Sequence, residues 1–174
     1  MTAAETIGEM FAGPGARDHL GEPVPIGEHM LQAGALAEAA GAEGAQVVAA
    51  LLHDIGHLLD EDEDEERHGE AGANWLSRWF GDAVTEPVRL HVPAKRYLCA
   101  VGADYFGLLS AESVRTLSLQ GGPMTAAEVA AFEALPFSWD AVAVRRWDDE
   151  AKDPVVTPPR FAHFAPLLGR LVRS

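Results

Sequence analysis

Apolar residues recur three and four positions apart along most of the chain, a spacing that is typical of helices with one buried face. No segment of any length alternates between apolar and polar positions, as a half-buried strand would. The pattern therefore predicts an all-α fold. We predict helices over residues 28–40, 45–59, 70–80, 85–92, 94–101, 110–120, 126–135, 138–152 and 161–172.

Capping and helix-breaking residues define several of these boundaries. Gly41 is a suitable C-cap for the first predicted helix. Thr125 and Glu128 have the spacing of a capping box, in which each side chain bonds the other residue's backbone N–H. Pro93 interrupts the helical pattern between residues 85 and 101, so we predict that a helix starts or kinks there.

The central helical stretch, VAALLHDIGHLL at residues 48–59, contains three polar side chains among apolar ones. On a continuous helix His53 and His57 would share a face, and Asp54 would lie about 100° further round. A buried imidazole and carboxylate are costly unless something compensates them. A bound metal would do so, and the two oxygens of Asp54 could bind different ions. The alternatives are an ion pair, or an N-cap beside a surface histidine.

Size and composition favour one cytoplasmic globular domain. The 174 residues are 48% hydrophobic, which is typical of a globular protein with a sizeable core. No apolar run approaches the roughly 20 residues of a membrane span, and the first residues do not resemble a signal peptide. A single cysteine, Cys99, excludes an internal disulfide and fits a reducing compartment. We interpret Cys99 as a small core residue rather than a nucleophile.

The strong negative charge argues against nucleic acid as a partner. Thirteen basic and 27 acidic residues give a formal charge of −14, whereas phosphate backbones are bound by basic patches. The acidic run at residues 60–66 is interpreted as a solvated loop, and a Ca²⁺ loop is a weaker alternative because the ligand alternation of an EF-hand is missing.

Four histidines and two aspartates form a candidate metal-binding set spread over five predicted helical segments or their edges. Facing helices of a bundle can bring such side chains together at its centre. Imidazole and carboxylate ligands suit iron, manganese or another borderline metal, and the lack of cysteine ligands argues against a structural zinc site. Two ions bridged by Asp54 would use the whole set, which comprises His29, His53, Asp54, His68, His91 and Asp148.

The order of these residues resembles that of the HD-domain superfamily in its two-metal form. The similarity extends to the segments HLGEPV, LLHDIGHLL, EPVRLHVPAKRYLCAV, LSLQGGPM and RRWDDEAK, which resemble the HD-domain mixed-valent di-iron oxygenases of phosphonate breakdown, of the PhnZ type. The resemblance covers roughly residues 19–160. It implies one HD-domain helical bundle over residues 1–174, in which residues 1–25 are an N-terminal segment and a substrate-side loop.

The resemblance also implies a cofactor and a reaction. His29, His53, Asp54 and Asp148 would hold one iron, and Asp54, His68 and His91 the other, as an Fe(II)/Fe(III) pair. O₂ would be used to cleave the C–P bond of a 1-hydroxy-organophosphonate, giving a carboxylic acid and phosphate. Nucleic acid and membranes would not be partners.

Residues near the predicted ligands are candidates for contacting the substrate. Lys95, four residues after His91, could reach a phosphonate, and Arg145 could either bind it bidentately or pair with Asp149. His57, one turn after His53, could donate to the phosphonate. The resemblance implies that Ser113 and Thr116 bond the phosphonate and that Glu22 guards the substrate side. Taken alone, His57 would be a core histidine or a residue that supports a metal ligand. Ser113 and Thr116 would be ordinary polar residues of a helix, and Lys95 a solvent-facing lysine. The catalytic set predicted in this way is Asp54, His57 and Lys95.

His19 occupies the position where the related enzymes carry a tyrosine that can ligate the second iron when no substrate is bound. His19 could ligate through its imidazole, or the loop could be rearranged for a different substrate. A third alternative is an ordinary surface histidine.

Two other functions remain open from the sequence. An HD phosphohydrolase would act on a nucleotide or phosphomonoester with two divalent ions and a bridging water. A regulatory binding module would hold metal without open coordination positions and would turn nothing over.

Overall fold

The computed structural model describes residues 1–59 and 67–173, and the acidic run at residues 60–66 lies outside the described part. Within these two ranges the chain forms helices and no strand, which confirms the predicted all-α class. Three short 3₁₀ segments, Gly15–Arg17, Ile55–Leu58 and Tyr105–Leu108, connect the α-helices. The α-helices are α1 (Ala3–Ala12), α2 (Ile26–Ala39), α3 (Gly44–Leu52), α4 (His68–Leu76), α5 (Asp82–Val101), α6 (Ala111–Leu119), α7 (Ala126–Glu133), α8 (Ser138–Glu150) and α9 (Phe161–Leu171).

Helix α3 lies at the centre of the main core. Its residues 47–52 are all buried, and the helix packs against α2, α5, α8 and α9. Complete burial of one side chain such as Leu51 or Leu52 stabilises the fold by about 1.5–3 kcal/mol. Because other helices surround α3, the polar residues that directly follow it in the chain lie in the interior of the protein.

A second apolar cluster fixes α5 against α7 and α8. Leu90, Ala94 and Leu98 of α5 pack with Phe132 and Ala141. This contact holds α5 and α8 side by side along much of their length. The two helices therefore present His91 and Asp148 to the same interior space.

The central helix is shorter than predicted, so the expectation that His53 and His57 share one helical face is wrong. α3 ends at Leu52, and Asp54 has φ −102° and ψ 12° before the 3₁₀ segment begins. The chain turns here because it passes α4 very closely. A Cβ atom added at Gly56 would lie 2.0 Å from the carbonyl oxygen of His68. Packing against α4 has overridden the helical pattern.

The predicted start or kink at Pro93 does not divide α5, which runs without interruption from Asp82 to Val101. Proline removes a backbone donor and usually costs about 3 kcal/mol inside a helix. The buried face of α5 offsets that cost, since His91, Ala94, Lys95 and Leu98 are all buried. His91 and Lys95 therefore lie one turn apart on one face, as predicted.

The N-terminal helix α1 was not predicted. Thr2 and Glu5 cap it reciprocally, with Glu5 N–H donating to Thr2 Oγ1 at 3.3 Å and Thr2 N–H to Glu5 Oε2 at 2.7 Å. The same Thr-x-x-Glu signature identified the start of α7, where the structure confirms the predicted capping box. α1 packs on α9 through stacked rings of Phe11 and Phe161.

None of the described helices is both long and apolar enough to cross a membrane.

Candidate metal centre

Four helices and the turn after α3 bring the predicted ligands to one buried point. They come from α2, from the turn after α3, from the first residue of α4, from the middle of α5 and from α8. His29, His53, His91 and Asp148 are each no more than 4% exposed. The side chains of Asp54 and His68 retain 15% and 10% exposure, which opens this point on one side.

Asp54 lies between two pairs of histidines and directs one carboxylate oxygen toward each pair. Its Oδ1 lies 3.2 Å from His68 Nε2 and 3.3 Å from His91 Nε2. Its Oδ2 lies 3.4 Å from His53 Nε2 and 3.5 Å from His29 Nε2. A carboxylate placed in this way can bind one cation through each oxygen. The geometry matches the bridging position predicted for Asp54.

Each histidine pair converges on its own small space. The Nε2 atoms of His29 and His53 are 3.1 Å apart, and Asp148 Oδ1 lies 3.2 Å and 3.7 Å from them. The Nε2 atoms of His68 and His91 are 3.0 Å apart. Two ring nitrogens at this distance repel each other if both carry lone pairs. A cation between them would remove that repulsion.

Backbone carbonyls fix the orientation of three of the rings. His29 Nδ1 donates to Ala151 O at 2.8 Å, and His53 Nδ1 donates to the carbonyl of Ala50 at 2.8 Å. His91 Nδ1 donates to Val88 O at 2.7 Å. A carbonyl can only accept, so Nδ1 carries a proton in each of these rings and Nε2 is the atom directed at the cluster. This outer hydrogen bond is typical of metal-ligating histidine.

The electrostatics of the cluster also fit cations. Burial lowers the pKa of His91 to about 4, so its imidazole is neutral near pH 7. Burial acts on His53 in the same direction, but Asp54 and Asp148 outweigh it and raise its pKa to about 10, so a metal ion that binds His53 Nε2 must displace a proton. Burial opposes the ionisation of Asp54. The charge of His53 and hydrogen bonds from the neighbouring imidazoles outweigh burial and hold the pKa of Asp54 well below its ordinary value. Ionised carboxylates among imidazoles suit bound metal, and the donor set fits the predicted ions.

His57 lies with the second histidine pair, not beside His53. Its ring stacks on His68 with centroids 4.1 Å apart, and Asp54, His57 and His68 each offer a ligand atom within 4.8 Å of the others. Burial lowers the pKa of His57 to about 3, so this ring is neutral. The structure therefore places His57 where it could act as a further ligand, a role that the sequence did not suggest.

A cavity of about 870 Å³ opens over the cluster. All the predicted substrate-binding residues line it, and so does His19. The lining combines His29, His68 and His91 with four basic side chains, namely Arg67, Lys95, Arg145 and Lys152.

Lys95 is 2% exposed and donates from Nζ to Thr116 Oγ1 at 2.8 Å and to Ser113 O at 3.3 Å. Burial, followed by repulsion from Arg145, lowers the pKa of Lys95 to about 8. The alternative of a solvent-facing lysine is therefore wrong, since α6 covers the ammonium and directs it along the cavity wall.

Arg145 is also buried, and its guanidinium already has several partners. Nη1 lies 2.7 Å from Asp148 Oδ2, Nη2 pairs with Asp149, and Nε donates to Tyr105 Oη at 3.1 Å. Nη2 also lies 3.3 Å from Ser113 Oγ. The predicted pairing with Asp149 is present, together with an unexpected contact to a candidate ligand.

The sequence analysis left two residues near the site without a role. Tyr105 lies behind the cavity wall, where it bonds Arg145 and Asp149, and Lys152 lines the cavity itself. Lys152 lies four residues after Asp148, just beyond the end of α8, and forms an ion pair with Glu22. The signal was present in the sequence, because Lys152 is one of only two lysines and follows a candidate ligand by four residues.

The loop that carries His19 and Glu22 turns back over the cavity. Glu22 N–H donates to His19 O at 2.8 Å, and His19 Nδ1 lies 3.1 Å from Glu22 O. Leu20 and Gly21 adopt positive φ angles of 46° and 79°. A Cβ atom at Gly21 would lie 2.8 Å from a carboxylate oxygen of Glu112. The loop is therefore packed closely against α6, and His19 is exposed at the cavity mouth.

Comparison with known proteins agrees with this arrangement. The model of the HD domain matches residues 26–106, which include all the candidate ligands except Asp148. The chain is 46% identical to a [1-hydroxy-2-(trimethylamino)ethyl]phosphonate dioxygenase (glycine-betaine-forming) of Leisingera caerulea, over 97% of this chain and 89% of the relative. It is 56% identical to a hydroxymethylphosphonate dioxygenase of Gimesia maris, over 72% of this chain and 66% of the relative.

An uncharacterized protein of Acanthamoeba polyphaga mimivirus is 32% identical over 84% of this chain and 71% of that protein. The two named relatives share one activity class, and the match to the first covers almost the whole of both chains. The helical fold and the HD-domain match agree with that class. On this evidence the chain belongs to the HD-domain phosphonate dioxygenase family.

Proposed function

We propose that this protein is an oxygenase that uses O₂ to cleave the C–P bond of a 1-hydroxy-organophosphonate, giving a carboxylic acid and phosphate. The observation that carries the proposal is Asp54, whose two oxygens each face a separate histidine pair at the base of a cavity with basic walls. The reaction balances with one O₂ per substrate and needs no external reductant, because both oxygen atoms enter the products.

The proposed cofactor is a pair of iron ions, Fe(II)/Fe(III). His29, His53 and Asp148 would hold one ion and His68 and His91 the other, with Asp54 shared between them. Imidazole with carboxylate is a ligand set that iron accepts well. An iron pair supplies the change of oxidation state that O₂ chemistry requires, which a hydrolase with redox-inert ions would not need.

The phosphonate would be bound by the basic wall of the cavity. Lys95 is held by Thr116 and Ser113, which leaves its ammonium close to polar groups that can also bond phosphonate oxygens. Arg145 contributes positive charge, although its donors already contact Asp148 and Asp149. His57 would complete the site beside the second ion.

The wider setting is inferred from composition. The chain forms one domain over residues 1–174 in this proposal, with a cytoplasmic location that fits its single cysteine. A net charge of −14 argues against binding to nucleic acid or to anionic membranes. The partners are then the organophosphonate and O₂.

A phosphate-release assay tests the reaction. Purified protein loaded with iron is incubated with a panel of 1-hydroxyphosphonates, with and without O₂, and with phosphomonoesters and nucleotides as the comparison. We expect phosphate from a hydroxyphosphonate in the presence of O₂ only, together with a mixed-valent EPR signal. Phosphate from a phosphomonoester without O₂ would identify a phosphohydrolase instead, and no turnover of any compound would favour a binding module.

A further inference from the structure

The cavity contains a partly buried ion pair between Lys152 and Glu22 that the proposed reaction does not use. Lys152 Nζ lies 2.9 Å from Glu22 Oε1, and the two side chains are 13% and 15% exposed. Lys152 follows the end of α8, while Glu22 belongs to the loop over the cavity. The pair therefore joins the metal-bearing side of the cavity to its cover.

Serine hydroxyls complete the surroundings of this pair. Ser110 Oγ donates to Glu22 Oε1 at 2.7 Å, and Lys152 Nζ lies 3.3 Å from Ser110 Oγ and 3.2 Å from Ser113 Oγ. Glu22 Oε1 thus has two donors, one of which carries a full positive charge. A buried carboxylate with these partners has its charge already compensated.

Among the other described residues that line the cavity, few could attract a positively charged substituent of a substrate. None of these residues is Phe, Tyr or Trp, so the lining contains no aromatic cage of the kind that binds quaternary ammonium groups. Glu112 is paired with Arg115 at 2.6 Å. Asp54 and Asp148 belong to the candidate metal centre, and Asp18 is exposed.

We propose, building on the proposed function, that Lys152 is a specificity-determining residue that neutralises Glu22 and makes the site select 1-hydroxyphosphonates with an uncharged substituent. A cationic substituent that approached Glu22 would meet the ammonium of Lys152. It would have to displace that ammonium from a partly buried, hydrogen-bonded pair, which is unfavourable. Discrimination would thus come from a repulsive element in the site.

The substrates of the two named relatives differ in this respect. The trimethylamino group in the name of the Leisingera caerulea dioxygenase is cationic, whereas hydroxymethylphosphonate, named for the Gimesia maris enzyme, carries only hydrogen atoms at C1 besides its hydroxyl and phosphonate groups. Because Lys152 neutralises Glu22, we assign to this chain substrates without a positive charge, such as hydroxymethylphosphonate.

The test compares kcat/KM for hydroxymethylphosphonate and 1-hydroxyethylphosphonate with kcat/KM for (1-hydroxy-2-aminoethyl)phosphonate. The variants are Lys152→Met, Glu22→Gln and the double variant. Arg96→Met is the matched control, because Arg96 forms an ion pair with Glu128 at 2.9 Å outside the cavity lining. Thermal unfolding and iron content are recorded for each protein, and anaerobic calorimetry gives the Kd of each phosphonate.

The wild-type protein should favour the uncharged substrates by about tenfold or more, since like charges in a recognition site are strongly unfavourable. Lys152→Met should shift this ratio at least about tenfold toward the aminoethyl compound, because Glu22 becomes available to it. Glu22→Gln should shift it the opposite way, since Lys152 stays charged. The double variant removes both charges and should give a ratio between those of the two single variants, while Arg96→Met should not change the wild-type ratio.

Two results would overturn the inference. One is an unchanged ratio in both single variants, and the other is an equal loss for every phosphonate in Lys152→Met, which would make Lys152 a contact for the phosphonate group itself. If no compound releases phosphate, the proposed function fails, but the ratios of anaerobic Kd values still decide the role of Lys152. If Lys152→Met does not fold, Glu22→Gln and the double variant decide it.

Discussion

Arg145 Nη1 contacts Oδ2 of Asp148 at 2.7 Å, while Oδ1 of the same carboxylate lies 3.2 Å from His29 Nε2. The guanidinium thus occupies one oxygen and leaves the other facing the histidine pair. Burial opposes ionisation of Asp148, but the charge of Arg145 helps to hold its pKa well below the ordinary value. Arg145 therefore orients a candidate ligand, in addition to any contact with the phosphonate.

Replacing Arg145 should consequently weaken metal binding as well as substrate binding. We expect Arg145→Gln to lower affinity for the ion at the His29–His53–Asp148 site by about 10- to 100-fold, which is typical for loss of a group that supports a ligand. Iron content after dialysis against a graded chelator measures this loss. Arg96→Gln is the matched control, and equal iron retention in the two variants would leave Arg145 with a substrate role alone.

Asp54 is expected to be necessary for both ions. Its oxygens face both histidine pairs, so Asp54→Ala should remove both ions together. Asp148→Ala provides the comparison, since Asp148 approaches only His29 and His53 and its loss should affect one ion first. Elemental analysis gives iron per chain. An Asp54→Ala protein that keeps two irons would exclude a bridging role.

The activity of the proposed oxygenase should fall as the pH rises through about 8. Lys95, whose pKa burial lowers to about 8, is protonated below this value and attracts a phosphonate, and it loses that charge above it. The pH profile of kcat/KM reports groups of the free enzyme and is the measurement. Lys95→Arg keeps its charge at every accessible pH. This variant should not show the decline, whereas an identical decline would assign it to another group.

His19 should affect the second ion without being needed to retain metal. It lines the cavity, and the family resemblance of the sequence implies that it stands where related enzymes carry a tyrosine able to ligate iron. We expect His19→Ala to keep both irons, to change the EPR spectrum without substrate and to increase iron oxidation in air. The exposed His163→Ala, on α9, is the control. An unaltered spectrum would show that His19 is not a ligand.

Gly56 should be essential for the close approach of the central turn to α4. In Gly56→Ala the new Cβ would meet the His68 carbonyl oxygen at 2.0 Å, so the backbone must move. Overpacking of this kind typically costs about 1–3 kcal/mol in the free energy of unfolding. Gly169→Ala, with nothing within 4 Å of its new Cβ, should instead stabilise α9 by about 1 kcal/mol. Urea denaturation compares them, and equal stabilities would contradict the steric explanation.

The sequence by itself determined the helical class, most helix positions and the candidate ligand set. Apolar spacing and caps such as Thr125 and Glu128 act between residues a few positions apart, so they can be recognised along the chain. The candidate ligands were recognised from the chemistry of their side chains and from their order along the chain. The same reasoning missed α1, although Thr2 and Glu5 carry the signature that identified α7.

Only the tertiary structure decided how these residues are grouped. The pattern placed His53 and His57 on one helix face, but close packing of Gly56 against His68 ends the helix and separates them. The pair of Glu22 with Lys152 joins positions 130 residues apart. Such contacts depend on how several helices pack at once, and no local spacing encodes them, because burial and charge compensation arise only when distant segments meet.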